Sequence, residues 1–369
     1  GTIVSATYHH QGAYFGRNDY DGTEKSFYAN ILFMHEFQPK AHSATIGASF
    51  LYDDYEETFS DMNLGRKETV PGVYAEYTMS AIKDLSIIGG VRADFHNDFG
   101  TFVTPRLHVR YELLPGTILR GSAGKGWRTQ NILSEYSSVL ASSREISIDE
   151  KIRPDEAWNY GVNISTDIEL YKILFTINAE YYRTDFKNQL IADFDKSPTE
   201  VHFYNLRGDS YSNSFQLDLN FSPIKHLTVM TAYRLNDVKM NINGELVDKP
   251  LVSRQKAFIN LGYVTDLDEW AFDFTADWSS GGRLHNSQSN PEEYRMDGTF
   301  PAFWIFNAQV TKKFGDIDVY VGGENLADFT QHHAIVGAKD PFGKYFDTSY
   351  VWGPLSGANF YIGVRWNVF

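Results

Sequence analysis

Along most of the chain, apolar and polar residues alternate one by one. Phe215, Leu217, Leu219 and Phe221 are interleaved with Ser214, Gln216, Asp218 and Asn220. Trp270, Phe272, Phe274, Ala276 and Trp278 alternate with Ala271, Asp273, Thr275 and Asp277. Ile173, Phe175, Ile177, Ala179 and Tyr181 alternate with Thr176, Asn178, Glu180 and Tyr182, and Leu107, Val109, Tyr111 and Leu113 with His108, Arg110 and Glu112. Successive side chains of a β-strand point to opposite faces, so a period of two predicts strands with one greasy and one wet face. No helix-period segment, linker or low-complexity run interrupts the pattern.

About sixteen strands are predicted, over residues 2–15, 24–36, 43–54, 67–82, 85–96, 101–113, 117–128, 155–166, 171–192, 200–222, 226–240, 251–264, 269–281, 300–313, 316–325 and 358–369. Each can hold the ~9–11 residues with which a tilted strand crosses a bilayer. Alternation alone also fits a soluble sandwich or propeller. Connection lengths separate the two readings. Tight turns fall at 38–42, 83–84, 115–116, 223–225, 266–269 and 315–316, and loops at 53–66, 128–154, 241–250, 282–299 and 327–357. Short turns on one side and long loops on the other predict an all-β, antiparallel, up-and-down transmembrane barrel, with periplasmic turns and extracellular loops. The last strand then ends on the turn side, the first rises from it, and the strand number is even. Tyr181, Tyr182, Trp270, Trp278, Trp304 and Trp366, near strand ends, suit interfacial girdles.

Composition changes this picture little. Mean hydropathy is −0.36, which would pass for a water-soluble protein, yet a barrel wall shows lipid only every second residue. The net charge of −14 excludes a nucleic-acid partner, for want of a basic stripe. The absence of cysteine excludes disulfides and thiolate metal sites. Gly1-Thr2-Ile3 opens directly into strand-like sequence without a signal peptide.

Three segments resemble TonB-dependent receptors, particularly those of the Bacteroidetes. The first is Thr104-Pro105-Arg106-Leu107, followed by Gly124-Lys125-Gly126-Trp127-Arg128-Thr129-Gln130-Asn131, a strand ending in Gly-aromatic-Arg before a long loop. The second is Tyr204-Asn205-Leu206-Arg207-Gly208 leading into Ser214-Phe215-Gln216-Leu217-Asp218, then Ala232-Tyr233. The third is Gly322-Gly323-Glu324-Asn325-Leu326-Ala327-Asp328, a long loop, and a closing strand on Phe369. In the family that terminal aromatic is in phase with the apolar positions. Here Phe360, Ile362, Val364, Trp366 and Val368 take the opposite phase, which a bulge near Asn367 would reconcile.

The resemblance implies a barrel of ~22 strands around an N-terminal plug. Residues 1–369 then form the C-terminal portion of the barrel, roughly strands 7–22, with the plug and first strands outside this chain. It further implies TonB-dependent import of a scarce nutrient across a Gram-negative outer membrane, with TonB, outer-membrane lipid and a surface-exposed lipoprotein as partners. The alternative is a complete sixteen-stranded diffusion porin, a size at which barrels leave an aqueous channel; the Gly-Glu-Asn-Leu segment and the long loops favour the receptor.

Import is not catalysis, and no Gly-x-Ser-x-Gly, His-Glu-x-x-His, P-loop or dinucleotide fingerprint occurs. Candidate cargo-binding residues lie on loops and at the mouth: Trp127, Arg128, Asn131, Glu135, Arg144, His285, His332 and His333. An aromatic and an Arg at a mouth can stack on and charge-pair with a ligand. Accessible His residues can ligate haem iron or copper, tilting the cargo toward haem or a metal chelate. His9 and His10, adjacent on a strand, face opposite sides and form no joint site. Asp53-Asp54-Tyr55-Glu56-Glu57 offers oxygen ligands for a loop calcium. No intrinsic cofactor is expected. Arg110, Glu112, Asn163, Glu180, Asp218, Asp273 and Asp277 are expected to line a wet lumen.

Overall fold

The computed structural model describes residues 1–37 and 41–367. Its main sheet has 18 strands, and two of them, Met62–Asn63 and Glu245–Asp248, are short additions at hairpin tips, which leaves sixteen long ones. These are labelled in chain order: β1 Thr2–Phe15, β2 Asn18–Phe37, β3 His42–Phe59, β4 Arg66–Met79, β5 Leu85–His96, β6 Gly100–Leu114, β7 Thr117–Arg128 and β8 Asp155–Leu170. There follow β9 Ile173–Asn188, β10 Ser210–Ile224, β11 Leu227–Ile242, β12 Gln255–Val264, β13 Trp270–Ser279, β14 Phe303–Phe314, β15 Ile317–Glu324 and β16 Asn359–Trp366.

Each strand pairs antiparallel with the next, from β1–β2 to β15–β16. The outer edges of β1 and β16 have no sheet neighbour among the described residues, so the wall is an open, curled up-and-down sheet. No helix among the described residues is long and apolar enough to cross a membrane.

Register sorts the side chains by face. Ile164, Ala179, Leu217 and Tyr233 form one row across β8–β11, and Asn163, Glu180, Gln216 and Arg234 form the neighbouring row. The greasy rows are the exposed ones: Ile46, Val73, Leu107, Val162, Leu217, Phe272 and Ile362 all stand open. Soluble monomers rarely expose apolar patches beyond a few hundred Å². A band running round sixteen strands needs hydrocarbon against it. The wet rows are hydrogen-bonded across strands, as in Asn163 to Asn178 (2.7 Å) and Asn178 to Asp218 (3.1 Å).

Glycines on the wet face have a local reason. Tyr74 lies opposite Gly47, Tyr182 opposite Gly161, and Tyr361 opposite Gly322. A Cβ at Gly161 would lie 2.1 Å from the Tyr182 ring. Each tyrosine occupies the room its cross-strand glycine leaves.

Several expected boundaries move. Residues 200–222 are not one strand, because the chain breaks at Gly208 (φ +104), and Glu200–Asn205 belongs to a separate sheet. The segment 171–192 likewise ends in the wall at Asn188, and Leu190–Asp193 joins that second sheet. Residues 53–66 are not a loop, since β3 continues to Phe59 and β4 starts at Arg66. Loop 241–250 is an extension of β11 that turns at Asn243-Gly244, both at positive φ, as a tight hairpin requires. On the long-loop side, β1–β2 and β5–β6 connect through only 16–17 and 97–99. There the strands themselves project instead. Phe369 and Val368 lie outside the described residues. The β15–β16 ladder runs without a register shift to Trp366, and the Asn367 N–H donates to the Asp316 carbonyl at 2.9 Å.

Candidate functional site: the cap over the barrel mouth

Five connections on one side of the wall, 129–154, 189–209, 243–254, 280–302 and 325–358, fold together into a cap. This departs from the expectation of one continuous wall. Leu190–Asp193 pairs antiparallel with Glu200–Asn205, which pairs in parallel with Glu145–Ile148. One group of apolar side chains gathers Val139, Leu190, Phe194, Val201 and Phe203, and another gathers Ile191, Tyr204, Met240 and Ile242. Successive residues 190–192 serve different clusters, so the small sheet is covered on both faces. Val201 and Phe203 are 0% exposed, against 40% for Leu217 on the wall. The protein therefore keeps its dry core in its loops.

The cap also reaches the tips of the first strands. Leu133 and Leu140 pack with Phe59, Phe15 and Tyr20 from the tips of β1–β3.

Arg144 ties the connections together. Its Nε donates to Asp347 Oδ2 at 2.6 Å, and its Nη1 to the carbonyls of Ser197 (2.7 Å) and Glu200 (2.9 Å). The Ser142 hydroxyl donates to Asp347 Oδ1 at 3.2 Å, and the Thr348 hydroxyl to the Ser138 carbonyl at 2.6 Å. Arg144 also lies over the Phe194 ring, 5.4 Å from its centroid. From the other side, His285 packs on Phe194 at 4.4 Å and edge-on to Tyr350 at 5.7 Å. Arg283 binds Asp195, and the Asn243 amide donates to Asp193 Oδ2 at 3.0 Å. The run Asp193-Phe194-Asp195 is thus the hub on which three other connections converge, and Asp347 on Arg144 brings in the fifth.

Burial pushes the His285 imidazole down from its ordinary range to about 4, with Asp195 opposing the shift and Arg144 adding to it. A histidine held neutral in the fold stabilises it fully above the unfolded value of about 6.5 and progressively less as pH falls toward 4. Acidification through that window is therefore expected to loosen the cap. The protection factors of amides 190–205, taken relative to their intrinsic exchange rates at each pH, should fall between about pH 6.5 and pH 4, and His285→Phe should remove most of that pH dependence.

A second cluster sits at the rim below the cap. Trp127 stacks on Phe102 at 4.2 Å, and its Nε1–H donates to Asp94 at 3.0 Å. Arg128 pairs with Glu135 at 2.7 Å and Asp155 at 3.2 Å, and Asn131 accepts from Arg66. Arg128, Asn131 and Glu135 are thus brought together, while Trp127 turns to Phe102 and Asp94, and the polar groups of all four are engaged by the protein itself. Arg144 and His285 meet on Phe194, and both are buried. His332 and His333 stand exposed, just after Gln331, whose side chain fixes the loop by bonding Tyr350, Trp352 and Gly353.

The acidic run Asp53 to Glu57 lies within β3, so its successive side chains face opposite sides and its four carboxylates do not encircle one ion. Asp54 pairs with Lys67 at 3.0 Å, and the Tyr55 hydroxyl donates to Glu24 at 3.0 Å. Among the described residues, no group of three or more His, Asp or Glu is placed to hold a metal.

The space suited to a ligand lies where the cap meets the β1–β2 tip. It is a cavity of ≈ 850 Å³, bordered by Arg17, Phe59, Arg144, Phe342, Lys344 and Phe346 among others. Arg17 lies 5.3 Å over the Phe342 ring. Neither Arg17 nor Lys344 has an ion-pair partner among the described residues, so the cavity combines two free cations with aromatic faces. Of the sequence-derived candidates only Arg144 borders it. Arg17 at a two-residue turn and the run Pro341-Phe342-Gly343-Lys344 were the available signals.

Comparison with known proteins agrees with this architecture. The family described as TonB dependent receptor-like, beta-barrel, matches residues 2–326. No curated protein sequence matches the chain. Among solved structures, the ferric enterobactin receptor PfeA of Pseudomonas aeruginosa superposes with TM-score 0.69 at 12% identity, over 94% of this chain and 54% of that one. The copper transporter OprC gives TM-score 0.70 at 14% identity, over 95% of this chain and 57% of that one. The siderophore receptor PirA of P. aeruginosa gives 0.64 at 13%, over 98% and 63%. At such identities the likeness is one of fold, and the chain spans little more than half the length of these receptors. Barrels of this family are transporters and receptors of the Gram-negative outer membrane, not enzymes. With the family match running through the wall from β1 to β15, the chain belongs to the TonB-dependent receptor β-barrel family.

Proposed function

We propose that residues 1–369 are the C-terminal share of the barrel of a TonB-dependent importer, completed by an N-terminal plug and about six further strands. The observation that carries this reading is the cap. A diffusion porin works through an open aqueous path, whereas here five connections are tied together over the mouth by dry apolar clusters and buried polar contacts. Such a mouth suits capture of a scarce solute followed by energised passage. The free edges of β1 and β16 agree with further strands between them. In cells carrying the receptor, uptake at low solute concentration should vanish when TonB is deleted. Uptake indifferent to TonB would instead favour the porin.

For the cargo, we propose haem or a metal chelate. The exposed His332-His333 pair beside a fixed loop position supports it, as do the ferric enterobactin receptor and copper transporter among the matched structures. Replacing both histidines with alanine is expected to lower haem or copper accumulation by about tenfold or more, the scale seen when a metal site is disturbed. Unchanged accumulation would remove the metal reading while leaving TonB dependence to be judged separately.

A further inference from the structure

A second cavity of ≈ 850 Å³ lies at the rim, between the β5–β6 tip and the cap, away from the mouth cavity. Lys151, Arg153, Lys187 and Arg207 border it, together with Asp98, Glu150 and Glu156. Two of the acids are engaged: Glu150 pairs with Arg207 at 3.3 Å, and Glu156 with Lys125 at 2.5 Å. Lys151, Arg153 and Lys187 have no ion-pair partner among the described residues. In a chain of net charge −14, three unanswered cations around one cavity run against the background.

Their backbone is held in place. The Arg153 N–H donates to Asn205 Oδ1 at 2.7 Å, and Asn205 Nδ2 donates to the Lys151 carbonyl at 2.9 Å. Asn188 Nδ2 donates to the carbonyls of Arg153 (3.1 Å) and Pro154 (2.9 Å). Lys151 Nζ sits 4.8 Å over the Phe99 ring, which leaves an aromatic surface at the cavity edge. Lys187 stands exposed near the end of β9, where the β8–β9 register shifts by one residue.

We propose that this cavity binds a phosphorylated sugar, with Lys151, Arg153 and Lys187 on the phosphate and Phe99 beside the ring. A phosphate monoester brings close to two negative charges and three strong acceptors, which answers these cations with charge-assisted hydrogen bonds. The sugar phosphate can belong to an outer-leaflet glycolipid or to a free solute. The reading is independent of the cargo.

The test uses detergent-purified protein and two probes, a diphosphorylated glycolipid in nanodiscs and a soluble hexose 1-phosphate. Replacing Lys151, Arg153 and Lys187 together with Gln is expected to weaken glycolipid binding by at least about tenfold, with the dephosphorylated glycolipid binding no better to wild type than the intact one does to the variant. Lys187→Gln alone, on a wall strand outside the cap, should weaken binding about threefold and guards against a triple variant that fails to fold. If hexose 1-phosphate binds wild type and is lost in the variants, the site stands and its ligand is a solute. Wild-type affinity for both probes in Lys187→Gln and in a folded triple variant overturns the proposal, as does equal binding of the dephosphorylated lipid.

Discussion

Arg144→Ala is expected to destabilise the cap by about 3–5 kcal/mol, the range for breaking a buried ion pair on one side. The Arg144 side chain is 1% exposed and that of Asp347 is 4% exposed, so the surviving carboxylate would be stranded without water. The loss also frees the carbonyls of Ser197 and Glu200, and three connections then lose their common anchor. The expected readout is selective. Protease cleavage within 138–150, 194–200 and 341–348 should rise sharply, while the wall keeps its heat-resistant migration in detergent gels. Replacing the pair together, as Arg144→Met with Asp347→Leu, should recover much of the stability, because well-packed apolar residues often substitute for a buried pair. Equal protease resistance in Arg144→Ala and wild type would mean that the connections are held mainly by their apolar clusters.

The second large effect concerns the wall. Leu217 sits at the centre of β10 in the greasy row with Ala179 and Tyr233. Leu217→Arg is expected to cost about 2–4 kcal/mol in lipid, the penalty for a cation facing the bilayer midplane. Glu180→Arg, one row away on the wet face, should change stability by less than about 0.5 kcal/mol. Denaturant titration of both variants in lipid vesicles measures the contrast. Similar penalties would mean that the two faces meet the same surroundings.

How much of this was legible in the sequence depended on what each segment packs against. The wall was readable because its environment has the period of the strand itself: lipid and water alternate at every residue, so β1, β5 and β7 fall where the alternation begins and ends. The cap was not readable. Leu190–Asp193 is buried on both sides, and its run of Leu-Ile-Ala continues the apolar count of β9 without a change of period. Glu200–Asn205 merged with β10 for the same reason, the break residing in one glycine whose backbone sign no periodicity reports. The long β2–β4 strands beyond the membrane alternate weakly, since both their faces meet water or polar partners, and this made strand resemble loop at 53–59.

The candidate site divided along the same lines. Arg128, Asn131 and Glu135 converge because sequence neighbours at a strand end stay neighbours in space, whereas Trp127 packs on the neighbouring strands. Arg144 and Asp347 lie far apart in the chain, so their pairing left no trace in either local sequence. Arg144 was singled out as a charged loop residue, and the fold uses that charge to hold the cap closed. The cations free to act on a solute, Arg17 and Lys344, sit at turn apices that carry no pattern.

Apolar clusters shared between neighbouring connections, joined by the contacts of Asp193-Phe194-Asp195 and the Arg144–Asp347 pair, make the five connections one unit of inheritance. In many barrels each loop can drift, lengthen or be exchanged by itself, because nothing but solvent adjoins it. Here a change of volume at Phe203 or Ile191 is felt by side chains from neighbouring connections, and a new sequence in one calls for accommodation in the rest. Selection for a different solute would therefore act on outlying positions such as Phe342, Lys344 or His332, leaving the interlocked residues as a fixed frame.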